Sequence, residues 1–109
     1  MFKSAFIVMA ADGDPAKYRS TIKTAKTEFT TVLIKLMDFD QAVEVAKDFV
    51  QNKGVQSIYL CPGFTHQAVA RIATAVDGRA AVNVARGDGP SSAMVVDILT
   101  KEGWFNEEG

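Results

Sequence analysis

Four short stretches of the chain are rich in apolar residues, and segments of mixed polar and apolar character separate them. The first is residues 2–10 (FKSAFIVMA), a run typical of a strand that is covered on both faces of a sheet. The others are residues 29–36 (FTTVLIKL), 55–61 (VQSIYLC) and 80–86 (AAVNVAR). Their content of β-branched and aromatic residues favours strands. The pattern therefore predicts four strands.

After the second, third and fourth stretches, apolar residues recur at spacings of three and four, as in helices with one buried side. We expect Asp38 to cap the first of these helices, with Gln41 at capping-box spacing and Gly54 as its end. Thr65 should cap the next helix, and Pro90 stands at the front of the last. The apolar positions of the three helices are Phe39, Ala42, Val43, Ala46, Phe49 and Val50, then Val69, Ile72, Ala73 and Val76, then Met94, Val95, Ile98 and Leu99.

The segment after the first strand is ambiguous. Asp14 precedes Pro15, and this pair is a good helix start, which predicts a short helix over residues 15–25. Residues 17–27 (KYRSTIKTAKT) are rich in Thr, however, and also suit an extended connection or a strand. In that case the first two predicted strands would pair differently.

The strands and helices alternate, and their connections suit right-handed crossovers between parallel strands. The sequence therefore predicts a single α/β domain over residues 1–109. Its core would be a small, open, mostly parallel four-stranded sheet, a flavodoxin-like half, with helices on both faces. We expect the strand order 2-1-3-4.

In an open parallel sheet, ligands bind beyond the carboxyl ends of the strands, where the strand order reverses. That point lies between the first and third strands, whose following loops are residues 11–14 (ADGD) and 62–65 (PGFT). The second loop leads into a helix, whose free amides attract anions. The expected ligand-binding residues are Asp12, Gly13, Gly63, Thr65, His66 and Arg86.

Cys61 and His66 are the candidate catalytic residues. They lie five positions apart across a turn, so a thiolate–imidazolium pair is possible, although nothing in the spacing requires it. Cys61 is also what the end of a buried strand often contains, since free Cys behaves as a small apolar residue. His66 can equally be a solvated side chain in a first helical turn.

Composition excludes several classes of function. The net charge of −1 gives no strong field for a polyanion, so we expect no nucleic-acid partner. No apolar run reaches the roughly 20 residues of a membrane span, and no leader is evident, so we expect a cytoplasmic protein. A single Cys excludes a Cys-rich zinc site. The patterns of phosphate, dinucleotide and Ca²⁺ loops are absent, so we expect no cofactor and no metal.

The chain is also expected to form a homo-oligomer, most simply a two-fold dimer. A four-stranded sheet has two edge strands to shield. Trp104 and Phe105 follow Gly103, the expected stop of the last helix, and a short chain has little interior left for them. The alternative is that this pair packs on its own sheet.

Three segments resemble an uncharacterised family of short prokaryotic proteins. They are residues 6–22 (FIVMAADGDPAKYRSTI), residues 27–61 (TEFTTVLIKLMDFDQAVEVAKDFVQNKGVQSIYLC) and residues 63–76 (GFTHQAVARIATAV). The resemblance implies a small α/β fold and supplies no reaction or substrate.

Three functions fit these observations. The first is a module that binds a small anionic molecule at the carboxyl ends of the first and third strands. The second is a small isomerase, lyase or hydrolase that uses Cys61 or His66. The third is an oligomeric interaction protein without a ligand.

Overall fold

All four apolar stretches form strands, and a fifth strand joins them. The computed structural model describes residues 1–106 and contains one sheet and three helices within them. The strands are β1 (Phe2–Ala10), β2 (Arg19–Lys23), β3 (Thr27–Lys35), β4 (Ser57–Leu60) and β5 (Ala81–Val84). The helices are α1 (Phe39–Lys53), α2 (His66–Val76) and α3 (Gly89–Lys101).

The sheet has the order β2-β3-β1-β4-β5. β1 pairs in parallel with β3 on one side and with β4 on the other, and β4 pairs in parallel with β5. The four predicted strands therefore occupy the expected order 2-1-3-4. β2 lies antiparallel on the outer edge of β3, so the sheet has five strands and not four.

The helix predicted over residues 15–25 is wrong, and the alternative of a strand is confirmed. Asp14 starts only one turn: its carbonyl accepts from the amide of Tyr18 at 2.9 Å, and the chain then extends into β2. The Thr-rich sequence has no apolar stripe to bury as a helix. As a strand it pairs hydroxyl groups across the ladder, with Thr21 and Thr30 2.8 Å apart. The parallel pairing of β1 with β3 is unchanged by this strand.

One face of the sheet is covered by α1 and α2. Because side chains alternate along a strand, Ala5, Ile7 and Met9 of β1 point to the same face. They join the buried core, which contains Val32, Ile34, Ile58 and Leu60 from the sheet, Ala42, Val45, Ala46 and Phe49 from α1, and Ala68, Ile72 and Val76 from α2. We call this side the covered face.

Local capping fixes where these two helices begin and end. The Asp38 carboxylate accepts from the Gln41 amide at 2.9 Å, and the Thr65 hydroxyl accepts from the Ala68 amide at 3.1 Å, as expected. Gly54 ends α1 in the left-handed conformation at a φ of 70°. The Gln41 side chain does not complete a capping box, because it accepts from the Lys35 amide at 2.7 Å and so ties α1 to the end of β3.

The opposite side of the sheet, which we call the open face, has no helix packed on it within residues 1–106. The prediction that helices pack on both faces is therefore wrong. The segment that would have crossed this side as a helix forms β2 instead. α3 has no buried residue. The apolar side chains of the open face are Phe2, Phe6, Val8, Ile22, Phe29, Leu33 and Tyr59, assigned by alternation and strand register.

Candidate functional site

A cavity of about 670 Å³ lies between the carboxyl ends of the parallel strands and α3. Most of its lining is apolar. The sheet side of the lining comprises Val8, Met9, Leu36, Met37, Cys61, Pro62, Gly63, Arg86, Gly87 and Asp88, and the other side comprises Ser91, Ser92, Val95, Val96, Leu99, Trp104 and Phe105. The cavity therefore occupies the end of the sheet at which the sequence predicts a ligand.

The loop after β4 forms one wall of this cavity, and an aromatic anchor holds it in place. Phe64 is buried, and its ring centroid lies 5.6 Å from that of Phe39 at the start of α1. Its amide donates to the carbonyl of Cys61 at 3.3 Å, which closes the turn. Cys61 is partly buried and packs against the core. The apolar core thus fixes the position of Cys61 and Gly63.

The turn from β5 into α3 forms the polar rim. The Arg86 guanidinium donates to the Asp88 carboxylate at 3.3 Å, and both side chains are largely exposed. Asp88 precedes α3 but makes no side-chain cap. A Cβ added to Gly87 would lie 2.7 Å from the Ser92 hydroxyl and 3.6 Å from the Pro62 side chain, so the turn packs closely against both. The rim therefore carries one positive and one negative group.

Three of the predicted site residues meet at this cavity, namely Cys61, Gly63 and Arg86. Asp12 and Gly13 do not line it, because their loop turns the other way. The Gly13 amide donates to the Ala10 carbonyl at 3.0 Å, and a Cβ on Gly13 would clash with the Ile34 carbonyl oxygen. The loop after β1 therefore folds over the end of β3.

Thr65 and His66 also lie outside the lining. The Thr65 hydroxyl is engaged in capping α2, and His66 is the exposed first residue of that helix. Of the two candidate catalytic residues, only Cys61 faces the cavity. The sequence predicts that the loops after β1 and β4 lie at one site. Residues 11–14, the loop after β1, do not line the cavity.

The α3 wall and the aromatic pair beyond it are lining residues that sequence reasoning did not assign to the site. Their signal is present in the sequence: Ala93 to Leu99 (AMVVDIL) is apolar on more than one side of a helix, whereas α1 and α2 each show a single stripe. Trp104 is partly buried and also lines a neighbouring cleft of about 270 Å³ with Lys35 and Ala11. The aromatic pair thus folds back toward its own sheet end.

The described residues contain no group of three or more His, Cys, Asp or Glu side chains arranged to hold a metal ion. None of the helices within residues 1–106 combines the length and the apolar character needed to span a membrane. The ionisable side chains at the cavity are the Cys61 thiol, the Arg86 guanidinium and the Asp88 carboxylate. This set can select a ligand by charge and shape.

A protein-family profile described as a family of unknown function (DUF6506) matches residues 2–99. The chain belongs to this family. The DUF6506 match spans all five strands and most of α3, and it ends before Trp104 and Phe105. No curated protein and no solved structure matches the chain. Family membership agrees with the resemblance seen in the sequence, and it assigns no reaction.

Proposed function

We propose that this protein is a module that binds a small molecule with an apolar body and one anionic group. The observation that carries the proposal is the cavity at the carboxyl ends of β1, β4 and β5, with Arg86 at its rim. Its volume of about 670 Å³ lies within the roughly 300–1,000 Å³ of ligand pockets, which are mostly apolar with a few polar groups.

The lining favours a ligand with an apolar body. Val8, Val95 and Leu99 present hydrocarbon from the sheet and from α3, and Met9 and Met37 add flexible thioethers. Trp104 supplies a broad aromatic surface next to them. Burial of hydrocarbon here would supply most of the affinity, because it removes apolar surface from water on both sides.

The rim supplies selection by charge. An incoming carboxylate or phosphate would bind to Arg86 in competition with Asp88, which already accepts from its guanidinium. Arg presents a planar fork of donors that suits both groups. Because Arg86 is largely exposed, its contribution is expected to be modest and sensitive to salt.

An enzyme that uses a Cys61–His66 pair is less well supported, because the cavity contains one of these residues and not the other. Cys61 has no His beside it in the lining to act as a base. Binding without chemistry therefore accounts for more of the site.

A ligand series tests the proposal. Thermal unfolding would be followed with straight-chain carboxylates of increasing length and with the alcohols of the same length, since a ligand that binds the folded state raises the melting temperature. We expect stabilisation to rise with chain length and carboxylates to exceed alcohols. Arg86→Gln should weaken carboxylate binding several-fold, and Asp88→Asn should strengthen it, because the competing acceptor is gone.

Arg79→Gln is the matched control, because Arg79 is exposed and precedes β5 at the amino end of the sheet. It should bind like the wild type. Equal binding of alcohols and carboxylates, or equal losses in the two Arg variants, would count against the site. Rapid alkylation of Cys61 that abolishes a measured turnover would favour the enzyme.

A further inference from the structure

We infer that the open face of the sheet and α3 together form the interface with a second copy of this chain. The inference is tested independently of the proposed ligand, because Tyr59 and Ile98, whose variants test it, do not line the cavity. It assigns a surface to the homo-oligomer that the sequence predicts.

Most of the exposed large apolar side chains lie on these two surfaces. Phe2, Ile22 and Tyr59 belong to the open face, and Tyr18 continues it, because its carbonyl accepts from the amide of Leu33. The others on these surfaces are Met94, Val95, Val96 and Ile98 of α3, each at least 50% exposed. Apolar patches of this extent on a small chain mark interaction sites.

The outer sides of α1 and α2 differ sharply in character. They carry exposed polar residues such as Glu44, Gln67 and Arg71, and Arg71 pairs with Asp40 across the two helices. The outer sides of these helices are therefore polar and suited to contact with water. The open face and α3 are apolar.

The open face is also almost free of charge. By register its remaining positions are small or neutral, including Ser4, Thr31, Ser57 and Asn83, and Lys35 stands only at its carboxyl edge. Depletion of charge is the compositional signal of interface cores. A sheet face without charge can be buried without leaving an unpaired ion.

The NH2 group of Asn83, on the β5 edge of this face, already has hydrogen-bond acceptors. The Asn83 side-chain amide donates to the Ser57 hydroxyl at 3.1 Å and to the Ile58 carbonyl at 3.2 Å. Burial of an amide is costly only where its hydrogen bonds are lost. Burial of the Asn83 NH2 group would therefore cost little.

The available area suits a dimer. Strands of four to nine residues, at a rise of about 3.3 Å and a spacing of about 4.8 Å, give the open face roughly 500 Å² in projection. α3 adds to this area through Met94 and Ile98, which are exposed and do not line the cavity. Together they approach the roughly 800 Å² per partner of a standard interface.

A second copy is the occupant that these surfaces favour. Within residues 1–106, each chain leaves both an apolar sheet face and an apolar helix without a packed neighbour, so a two-fold arrangement covers both kinds of surface with one repeated contact. Pairing of the β2 or β5 edges would leave the open face and α3 exposed. Edge pairing is therefore the competing outcome.

Sedimentation equilibrium of the ligand-free protein tests the inference. From about 1 to about 200 µM, the wild type should move toward twice the chain mass of 11.8 kDa. Tyr59→Lys and Ile98→Lys should each weaken dimerisation at least tenfold, since both place a charge in the apolar contact. Gln67→Lys, on the exposed side of α2, is the matched control and should associate like the wild type.

A wild type that stays monomeric over the whole range overturns the inference. So does a dimer whose association is unchanged in both Lys variants, which would place the contact at a sheet edge. Ile98→Lys keeps the test valid if Tyr59→Lys fails to fold, because α3 buries none of its residues. Circular dichroism of each variant establishes that it is folded before its mass is measured.

Discussion

The two faces of the sheet differ in burial, although both are apolar. Along β1, Ala5 and Ile7 are wholly buried under α1 and α2, whereas Phe6 and Val8 between and beside them remain partly exposed. The alternation of side chains assigns each residue to a face but does not supply a cover. The cover depends on whether the neighbouring segment folds as a helix or, as here, as β2.

The largest expected effect comes from comparing the same residue type on the two sides. Ile72 of α2 is wholly buried, whereas Ile98 of α3 is half exposed. Ile72→Ala should lower the free energy of unfolding by about 2–5 kcal/mol, because it leaves a cavity in the core. Ile98→Ala should change it by less than about 0.5 kcal/mol in the monomer. Urea unfolding at low protein concentration measures both.

Protein concentration then sharpens the comparison. If α3 packs on a second copy, the cost of Ile98→Ala should grow as the concentration rises, while that of Ile72→Ala stays constant. Equal costs for the two variants at low concentration would mean that α3 is as well packed as α2, contrary to its exposure.

A smaller effect is expected from two glycines, one of which is tightly packed and the other open. Gly13 lies against the backbone of β3, and its missing Cβ would clash with the Ile34 carbonyl, whereas nothing lies within 4 Å of a Cβ on Gly89 in α3. Gly13→Ala should lower the free energy of unfolding by about 1–3 kcal/mol, because the backbone of β3, unlike a side chain, cannot move aside. Gly89→Ala should change the free energy of unfolding by less than about 1 kcal/mol, because only the restriction imposed by the following Pro90 opposes it.

Thermal or urea unfolding measures the two glycine variants side by side. A neutral Gly13→Ala would show that the loop after β1 can lift off β3. Asp12 and Gly13 could then approach the cavity, as the sequence led us to expect.

Features that depend on local sequence were predictable. Asp38, Gly54 and Thr65 set helix boundaries through contacts within a few residues, and the apolar runs define the four central strands and their order. The segment that became β2 was not, because Pro15 favours one helical turn while the following Thr residues favour a ladder with β3. Tertiary pairing decided between them.

Part of the cavity lining could be located from the sequence. Cys61, Gly63 and Arg86 line the cavity because each follows a strand whose end the apolar pattern locates. The direction taken by the loop after β1 was not predictable, since it depends on the close approach of Gly13 to β3. Nor did helical periodicity reveal that α3 would stand away from the sheet and leave a cavity.

The smallest expected effect concerns the exposed side of α1, which carries charged residues. Asp48 of α1 accepts from the Asn52 amide at 2.7 Å and pairs with Lys53 at 3.2 Å. These two contacts, the Asn52 hydrogen bond first, lower the pKa of the Asp48 carboxyl below its usual value. The stabilisation is therefore present above the unfolded-state pKa of about 3.9 and is lost as the pH falls through the lower folded-state value. At neutral pH, Asp48→Asn should lower the free energy of unfolding by at most about 0.5 kcal/mol, because the pair is exposed.

Urea unfolding of the wild type and of this variant across the pH range should show the difference in stability shrinking toward acid. The difference should also shrink in about 1 M NaCl. A difference that widens as the pH falls would mean that Asp48 is stabilised in its protonated form, and the assignment of its partners would be wrong.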